Sequence, residues 1–372
     1  MASPEAQIDD RCVVLDGHRI PGRWLRDHGD DEASLDPDTK QRKNDTFAIP
    51  TDIAPLAVSI DGVRLDVEWT DGTRTAHSVA ALSRATADRR RPEVRSSSGF
   101  SIDPALDLWA SAPTVEWFDV SVFDDDEAWR PAIAHLHRFG WAAFDGAELG
   151  EAPSKRLAAR IGYPRASIFG TLWNMNSGSF EHMDSAYERD DLDVHTDGTY
   201  SHDAPGTIIF AQQLKTGEGG DSVLVDGFAA ARDFQAAEPE AADLLTRYSV
   251  RAHYIEPGVH LVAERPPLRV DEHGRLVQVS FNNYDRSPLL PVDELVDDVI
   301  DAYNAFRAVF SDPARALSHE WQPGRMLVVD NWRCFHGRTS FSGERHFKGC
   351  YTNHEDLESA YRVAGLVPPA LG

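Results

Sequence analysis

The residues best suited to chemistry in this sequence are His195 and Asp197, separated by one threonine, and a distant histidine, His336. Residues i and i+2 of an extended segment point the same way, so His195 and Asp197 can converge on one metal ion. Two histidines and one carboxylate bind one face of a non-haem Fe(II) ion and leave the other positions open for substrate and oxygen. The three residues therefore predict an iron centre. A lone His-x-Asp pair is common by chance, so the prediction depends on other segments.

Three further segments support the iron centre. The apolar run of residues 326–329 precedes His336 and indicates a buried strand that would bring the histidine into the core. Arg345 lies nine positions after His336, and its guanidinium can pair bidentately with a small dicarboxylate chelated to the same iron. Residues 217–228 follow the His-Asp pair at a distance that suits a return strand of the same barrel.

Four blocks of the sequence resemble the carnitine-pathway 2-oxoglutarate oxygenases, the family of γ-butyrobetaine dioxygenase and trimethyllysine dioxygenase. The similarity extends from about residue 24 to residue 366. The blocks that carry it are residues 195–197, 219–228, 330–338 and 345–351. Together they are highly specific for the superfamily and less specific for the substrate.

This resemblance implies a fold, a chemistry and an assembly. The implied fold is mainly β with flanking helices, in which a double-stranded β-helix (jelly roll) catalytic domain is joined to a small β-rich N-terminal domain. Fe(II) would be held by His195, Asp197 and His336, and O2 would be consumed. The cosubstrate 2-oxoglutarate would place its far carboxylate on Arg345. Ascorbate as a reductant and a homodimeric assembly are also implied.

Aromatic side chains before and after the iron pair match the positions of a substrate cage in the resembling family. Phe169, Trp173, Tyr187 and Tyr351 are the matching residues, although the family pattern has tyrosine where this chain has Phe169. Ring faces attract a quaternary ammonium ion through their quadrupole. Asp184 would add a carboxylate near the cation. Any one of these rings on its own is more often part of a core.

The segment of residues 281–286 is the most informative for the substrate. Its Asn-Asn-Tyr-Asp-Arg sequence resembles trimethyllysine dioxygenase more than γ-butyrobetaine dioxygenase. Asn282 and Asn283 would hydrogen-bond the polar end of the substrate. The alternative for both residues is a turn, because asparagine tolerates unusual backbone angles.

The expected activity is therefore the hydroxylation of a trimethylammonium amino acid, Nε-trimethyllysine at C3. Two alternatives within the class are γ-butyrobetaine and another small cationic metabolite. An alternative of a different class is a non-catalytic, metal-binding jelly-roll protein, against which the complete set of metal ligands and Arg345 argue.

The composition of the chain suggests an N-terminal domain at residues 10–88, a linker at 89–104 and the oxygenase domain at 105–372. Asp61 and Gly62 between two alternating segments indicate a β-hairpin. A short strand is predicted at residues 141–144. Helices are predicted from the spacing of apolar residues at 128–139, 154–161, 229–248 and 292–310.

The N-terminal domain departs from the resembling family at a zinc site. Family members usually hold zinc there with a cluster of cysteines and one histidine, whereas the matching segment of this chain contains no cysteine. Zinc needs about four ligands, typically cysteine or histidine. We therefore expect no structural zinc, and the alternative is a site formed by His28, Asp30 and His77.

The charge balance and the cysteine count limit the partners and the compartment. The 372 residues include 37 basic and 61 acidic side chains, a formal net charge of −24, which argues against nucleic acid or an anionic membrane as a partner. Three cysteines cannot form a disulfide framework, and the first residues contain neither a basic nor an apolar signal region. These features predict a cytoplasmic protein.

Overall fold

The computed structural model describes residues 5–38, 41–61, 63–87, 99–176, 190–289 and 294–367. Within these residues the protein is mainly β with flanking helices, as predicted. The boundaries of the two domains stay predictions, and most of the expected linker lies outside the described residues.

The described residues of the N-terminal part form two small antiparallel sheets and two short α-helices. The hairpin predicted around Asp61 is confirmed by the pairing of two of its strands, in which Ile60 is opposite Leu65. The strands are β1 (Ala6–Asp9), β2 (Cys12–Leu15), β3 (His18–Pro21), β4 (Pro55–Ile60), β5 (Arg64–Trp69) and β6 (Arg74–Ser78), and the helices are α1 (Gly22–Asp27) and α2 (Val79–Ala87). The sheet orders are β1-β2-β3 and β4-β5-β6.

The rest of the chain contains fourteen further described strands. They are β7 (Trp117–Asp119), β8 (Trp141–Asp145), β9 (Trp173–Asn176), β10 (Leu192–His195), β11 (Thr207–Lys215), β12 (Ser222–Asp226), β13 (Val250–Glu256), β14 (Val259–Arg265), β15 (Leu268–Val270), β16 (Leu276–Val279), β17 (Leu317–His319), β18 (Met326–Asp330), β19 (Cys334–Arg338) and β20 (Arg345–Thr352). Ten of them form a six-stranded sheet, β7-β8-β18-β11-β20-β9, and a four-stranded sheet, β10-β19-β12-β17. The predicted return strand after the iron pair is β12, which pairs with β19.

The alternation of side chains along the strands explains why the two sheets pack face to face. On β8, Trp141 and Ala143 belong to a core cluster that also contains Leu224 of the smaller sheet. Ala142 and Phe144 point the other way and pack among the helices that cover the larger sheet. Successive residues of a strand face opposite sides, so a strand covered on both sides is apolar throughout. The two facing sheets form the predicted jelly roll.

Among the described residues, six helices cover the outer faces of the two sheets. They are α3 (Asp126–Phe139), α4 (Ala152–Ile161), α5 (Gly227–Ala237), α6 (Pro239–Arg247), α7 (Val296–Phe310) and α8 (His354–Val363). The prediction of one long helix at residues 229–248 is wrong, because the chain forms α5 and α6 with a break at Glu238. Proline disfavours a helical residue before it and suits the first turn of a new helix. The other three helix predictions are confirmed to within a few residues.

The N-terminal part shares one hydrophobic core with helices α5 to α7. Trp24, Leu25 and Trp69 pack in the same cluster as Phe234 and Phe306. The indole nitrogen of Trp24 also donates a hydrogen bond to the carbonyl of Leu289 at 2.7 Å. The N-terminal part is therefore fixed against the outer side of the smaller sheet, next to the strands that carry the predicted iron ligands.

The three side chains considered for zinc are engaged in other contacts. His28 donates from Nδ1 to the carbonyl of Trp24 at 2.7 Å, and its Nε2 accepts the amide of Leu289 at 3.1 Å. Asp30 accepts the amide of Ser78, and Nε2 of His77 contacts the hydroxyl of Thr75. Because both ring nitrogens of His28 are in use, this ring has no lone pair for a metal.

We predict that protein purified without added metal contains no stoichiometric zinc in its N-terminal domain, because cysteine ligands are absent and His28 is occupied. Elemental analysis of the intact chain is the measurement. One equivalent of zinc that survives replacement of the iron ligands but disappears in His77→Ala would contradict the prediction.

Candidate active site

The three predicted iron ligands meet at one point between the two sheets. His195 at the end of β10 is the direct partner of His336 on the neighbouring antiparallel strand β19. Asp197 follows after one residue, and its Oδ1 lies 3.3 Å from Nε2 of His195 and 3.5 Å from Nε2 of His336. One ligand atom from each residue lies within 4.8 Å of the other two. Two imidazoles and a carboxylate at this spacing fit a non-haem iron ion.

Hydrogen bonds from the surrounding chain fix the orientation of Asp197 and His195. Asn331, fully buried, accepts the amide of Asp197 at 2.8 Å and donates to its carbonyl at 3.0 Å. The hydroxyl of Tyr351 donates to Oδ2 of Asp197 at 2.9 Å, which leaves Oδ1 directed at the imidazoles. Nδ1 of His195 lies 2.7 Å from the carbonyl of Asp193, and this bond selects the tautomer with Nε2 available to a metal.

The charges of the three residues are coupled. Burial alone would raise the pKa of the Asp197 carboxyl, but His336 and His195 hold it well below its ordinary value. Burial lowers the pKa of His336. It also opposes charge on His195, but there the hydrogen bond and the charge of Asp197 outweigh burial and raise the pKa. A bound metal ion would displace any proton shared between His195 and Asp197, because ligands bind in their deprotonated forms.

Arg345 lies at the start of β20 and lines the same cavity as the three ligands. Its Nε donates to the carbonyl of Gly220 at 3.1 Å. Burial, followed by the positive charge of Arg338, lowers the pKa of Arg345 to about 9. Gly220 permits this approach, since its φ is +72° and an added Cβ would lie 3.0 Å from Cδ of Arg345. Two buried guanidinium groups on one wall make that wall suitable for a carboxylate.

Three of the predicted cage residues, Phe169, Trp173 and Tyr351, line the cavity. The rings of Trp173 and Tyr351 have centroids 6.2 Å apart and are tilted by 52°. Trp173 packs over Gly349, where an added Cβ would lie 2.3 Å from the indole, so only glycine allows this position of the ring. Tyr187 and Asp184, the other residues predicted near the cation, lie outside the described residues.

Asn282 and Asn283 are neighbours in the sequence but face different surroundings. Asn282 is buried and lines the cavity, and its amide donates to Asp285 at 2.9 Å. Asn283 does not line that cavity. Its side chain accepts from Arg286 at 3.0 Å and contacts the hydroxyl of Thr46 in the N-terminal part at 3.4 Å.

Sequence reasoning missed several residues that complete the site. Tyr200 and Asp285 line the cavity together with Phe210, whose ring centroid is 6.0 Å from that of His336. Asn331 holds Asp197 from behind. Tyr200 lies only three positions after Asp197, and Asn331 and Asp285 belong to blocks already singled out, so their positions in the sequence offered a signal.

Residues 102–351 of this chain match the family described as taurine catabolism dioxygenase TauD, TfdA family. The chain belongs to this family. The predicted enzyme class, a dioxygenase of the TauD/TfdA type, is therefore confirmed, and so is the resemblance to the carnitine-pathway enzymes.

Three named relatives of this TauD/TfdA-family dioxygenase cover nearly its whole length. A trimethyllysine dioxygenase of Meyerozyma guilliermondii is 30% identical, over 92% of this chain and 90% of the relative. A mitochondrial trimethyllysine dioxygenase of Gallus gallus is also 30% identical, over 92% and 82%. A γ-butyrobetaine dioxygenase of a Pseudomonas species is 26% identical, over 91% and 89%.

Two further observations concern membrane-spanning helices and the cysteines of this dioxygenase. No helix in the described part of the chain combines the length and the apolar character required to cross a bilayer. Cys12, Cys334 and Cys350 are buried free thiols.

We predict that His195→Ala, Asp197→Ala and His336→Ala each lose tight binding of Fe(II), because two remaining ligands cannot maintain the facial geometry. Metal content after anaerobic loading and desalting is the measurement, with circular dichroism to verify folding. His319→Ala is a matched control, since His319 is a buried histidine that is not part of this ligand group. Full metal occupancy in any two of the three ligand variants would refute the assignment.

Proposed function

We propose that the protein is an Fe(II)- and 2-oxoglutarate-dependent dioxygenase that hydroxylates a trimethylammonium amino acid, Nε-trimethyllysine at C3. The observation that carries this proposal is a single cavity lined by three kinds of group. These are the two histidines and the aspartate that fit iron, the buried Arg345, and the aromatic rings that include Trp173 and Tyr351.

The metal and the cosubstrate would be held by residues from neighbouring strands. His195, Asp197 and His336 would hold the iron, and Arg345 would pair with the far carboxylate of 2-oxoglutarate through its planar fork. Bound iron supplies the activation of O2 and the oxidation of an unactivated C–H bond, coupled to the conversion of 2-oxoglutarate to succinate and CO2. Asp197 in this fixed orientation would bind the metal from the same side as the two imidazoles, which would leave room in the cavity for these partners.

The chain itself supplies binding, orientation and the exclusion of water. Tyr351 and Asn331 hold Asp197 from two sides, so its carboxylate does not need to reorganise when metal binds. Trp173 is buried, with 6% of its surface exposed, and its ring forms part of an apolar wall that limits the access of solvent. A substrate carbon would be presented to the metal between this wall and the ligands.

The trimethylammonium group is supported as the recognised end of the substrate by the kind of surface available. A quaternary ammonium ion cannot donate hydrogen bonds, so contact with ring faces is its natural mode of recognition. Phe169, Trp173 and Tyr351 offer such rings, and we propose that Tyr187 and Asp184 contribute to the same end. Asn282 would bind the polar end, whereas Asn283, expected to share this role, is held outside the cavity by Arg286 and Thr46.

Trimethyllysine is placed ahead of γ-butyrobetaine because of the relatives. The named trimethyllysine dioxygenases are more similar to this chain than the γ-butyrobetaine dioxygenase of the Pseudomonas species, at 30% against 26% identity. γ-Butyrobetaine stays the second candidate, since its cation would occupy the same aromatic surface.

Four finer features complete the proposal. Ascorbate would serve as reductant, the assembly would be a homodimer, no structural zinc would be present, and the location would be cytoplasmic. Three buried free thiols support a reducing compartment, where cysteines remain unpaired.

The deciding experiment supplies purified protein with Fe(II), 2-oxoglutarate and O2 and offers trimethyllysine, γ-butyrobetaine and lysine. Mass spectrometry should find a +16 product from trimethyllysine together with stoichiometric succinate. Equal turnover of lysine and trimethyllysine would exclude the aromatic cage. A strong preference for γ-butyrobetaine would reverse the order of substrates, and no succinate with any of them would favour the non-catalytic alternative.

We predict that Arg345→Lys raises the KM for 2-oxoglutarate about tenfold or more. Lysine keeps the charge but loses the planar fork, and a hydrogen bond to a charged group contributes about 1.5–3 kcal/mol. Steady-state succinate formation at varied 2-oxoglutarate is the measurement. Arg338→Lys is the comparison, because Arg338 lines the same cavity. A larger effect in that variant than in Arg345→Lys would transfer the role to Arg338.

We predict that Trp173→Leu raises the KM for trimethyllysine while sparing the slow decarboxylation of 2-oxoglutarate that occurs without substrate. A cation–π contact contributes about 0.5–2 kcal/mol, so a change of roughly 2- to 30-fold is expected. Trp117→Leu is a matched control, since Trp117 is 37% exposed and does not line the cavity. An unchanged KM in Trp173→Leu would remove the indole from substrate recognition.

A further inference from the structure

We infer that Asp27 of the N-terminal part is a positioning residue for residues 281–286, the segment that would contact the substrate. Through this residue the N-terminal part contributes to substrate selection. The inference rests on the proposed function, because it concerns how the same cavity recognises its substrate. It is carried by hydrogen bonds and ion pairs that connect this segment to the iron site at one end and to Asp27 at the other.

The first end of the segment is attached to the loop that carries the iron ligands. Phe281 and Thr196 exchange two hydrogen bonds: the amide of Thr196 donates to the carbonyl of Phe281 at 2.9 Å, and the amide of Phe281 donates to the Thr196 hydroxyl at 3.0 Å. Thr196 lies between His195 and Asp197 in the sequence. The backbone of the segment is therefore hydrogen-bonded to the loop that carries His195 and Asp197. A displacement of the segment would also move these two residues.

The middle of the segment forms part of the cavity wall. Asn282 lines the cavity and donates to Asp285, whose carboxylate also accepts from Thr199 at 3.3 Å. The amide of Asp193 donates to the hydroxyl of Tyr284 at 3.3 Å. Any displacement of this stretch would change the position of Asn282 relative to the metal ligands.

The far end of the segment is held by the N-terminal part through Arg286. This guanidinium is buried and donates to Oδ2 of Asp27 at 2.8 Å and to the hydroxyl of Thr46 at 3.2 Å. Its Nε donates to Asn283 at 3.0 Å, and the amide of Asn283 contacts the same Thr46 hydroxyl. Asn283, although outside the cavity, thus connects its neighbour Asn282 to the N-terminal part.

A second arginine completes the attachment to Asp27. Arg42 is buried, donates from Nε to the carbonyl of Arg286 at 3.2 Å, and lies 3.5 Å from Oδ2 of Asp27. Thr46 and Asn44 donate to Oδ1 of the same carboxylate at 2.6 and 3.0 Å. Both guanidinium groups and two neutral donors therefore converge on Asp27.

Joining two surfaces through a buried ionic cluster carries an unfavourable desolvation free energy. Taking charges out of water has a large free-energy cost, and apolar packing often stabilises as well or better. The hydrophobic core already joins the N-terminal part to the helices beside it. What the ionic cluster adds is direction: ion pairs and fork-shaped hydrogen bonds fix the angle and distance of Arg286, and through it the position of residues 281–286.

The test compares Asp27→Asn with Arg26→Gln in the full chain. The neutral amide leaves Arg42 and Arg286 without their counter-charge, whereas Arg26 is on the same helix but pairs with Asp71 inside the N-terminal part at 3.0 Å. In Asp27→Asn the KM for trimethyllysine should rise by about tenfold or more, the KM for 2-oxoglutarate should stay within about twofold, and the ratio of kcat/KM for trimethyllysine over γ-butyrobetaine should fall. Arg26→Gln should change none of the three.

Amide hydrogen exchange gives a readout that needs no substrate. Peptides that cover residues 281–286 should exchange about tenfold faster in Asp27→Asn than in the parent, whereas Arg26→Gln should match the parent in this segment. Thr46→Val keeps the ion pairs and removes only the hydroxyl, so it carries the test if Asp27→Asn does not fold, with the same pattern of changes in KM and exchange.

Two results would overturn the inference. One is a folded Asp27→Asn or Thr46→Val protein with parental exchange in residues 281–286 and parental KM values. The other is an equal change in Arg26→Gln, which would mean a general loss of stability. Failure of the proposed function is recognised separately, because the parent would then turn over neither substrate while the exchange comparison remains valid.

Discussion

His195 and His336 are direct partners across two antiparallel strands, and Asp197 must reach both imidazoles from the turn that follows. This arrangement requires β10 and β19 to be neighbours and the chain to bend immediately after His195. Asn331 maintains that bend by bonding both backbone groups of Asp197. A slip of one residue in the pairing would turn either histidine to the opposite face of the sheet. The jelly roll, with apolar layers on both sides of each sheet, is what prevents such a slip.

The two sheets enclose one cavity whose walls differ in chemical character. One wall contains the buried Arg345 beside Arg338 and suits an anion, and His195, Asp197 and His336 line the same cavity. Another wall consists of rings, with Trp173 over Gly349 and Tyr351 bonded to Asp197. A cosubstrate with a distal carboxylate and a substrate with a permanent positive charge would occupy different walls and meet only at the metal. In a chain of net charge −24, this local basic wall is produced by the fold and not by composition.

The N-terminal part contributes more than surface coverage. Its buried Asp27 accepts a hydrogen bond from Arg286, which belongs to the segment that lines the cavity. Trp24 donates to the carbonyl of Leu289, three residues after Arg286. The hydrophobic cluster around these residues supplies most of the attachment, because apolar burial is the dominant stabilising contribution. The ion pairs within it are directional and therefore set a position. Substrate selection in this dioxygenase would then depend on residues far from His195, Asp197 and His336 in the sequence.

The sequence by itself indicated His195, Asp197, His336 and Arg345 as candidates for one site and located most helices, because residue type, local spacing and apolar period are visible in a linear chain. The fold class was implied by the resemblance of whole blocks to a known family. The sequence also suggested Asn282 and Asn283 as one unit. Only the tertiary structure separated them, with Asn282 in the cavity and Asn283 against Thr46. The chain turns at residues 283–285, where the Asn282 side chain accepts the amides of Tyr284 and Asp285, so the two neighbouring side chains meet surroundings from distant parts of the chain. The helix break at Pro239 had a local signal that a continuous apolar period concealed. Asn331 had a signal only in its place within a block already singled out, and Asp27 beneath Arg286 had none, since a hydrogen-bond partner more than a hundred residues away is decided by packing.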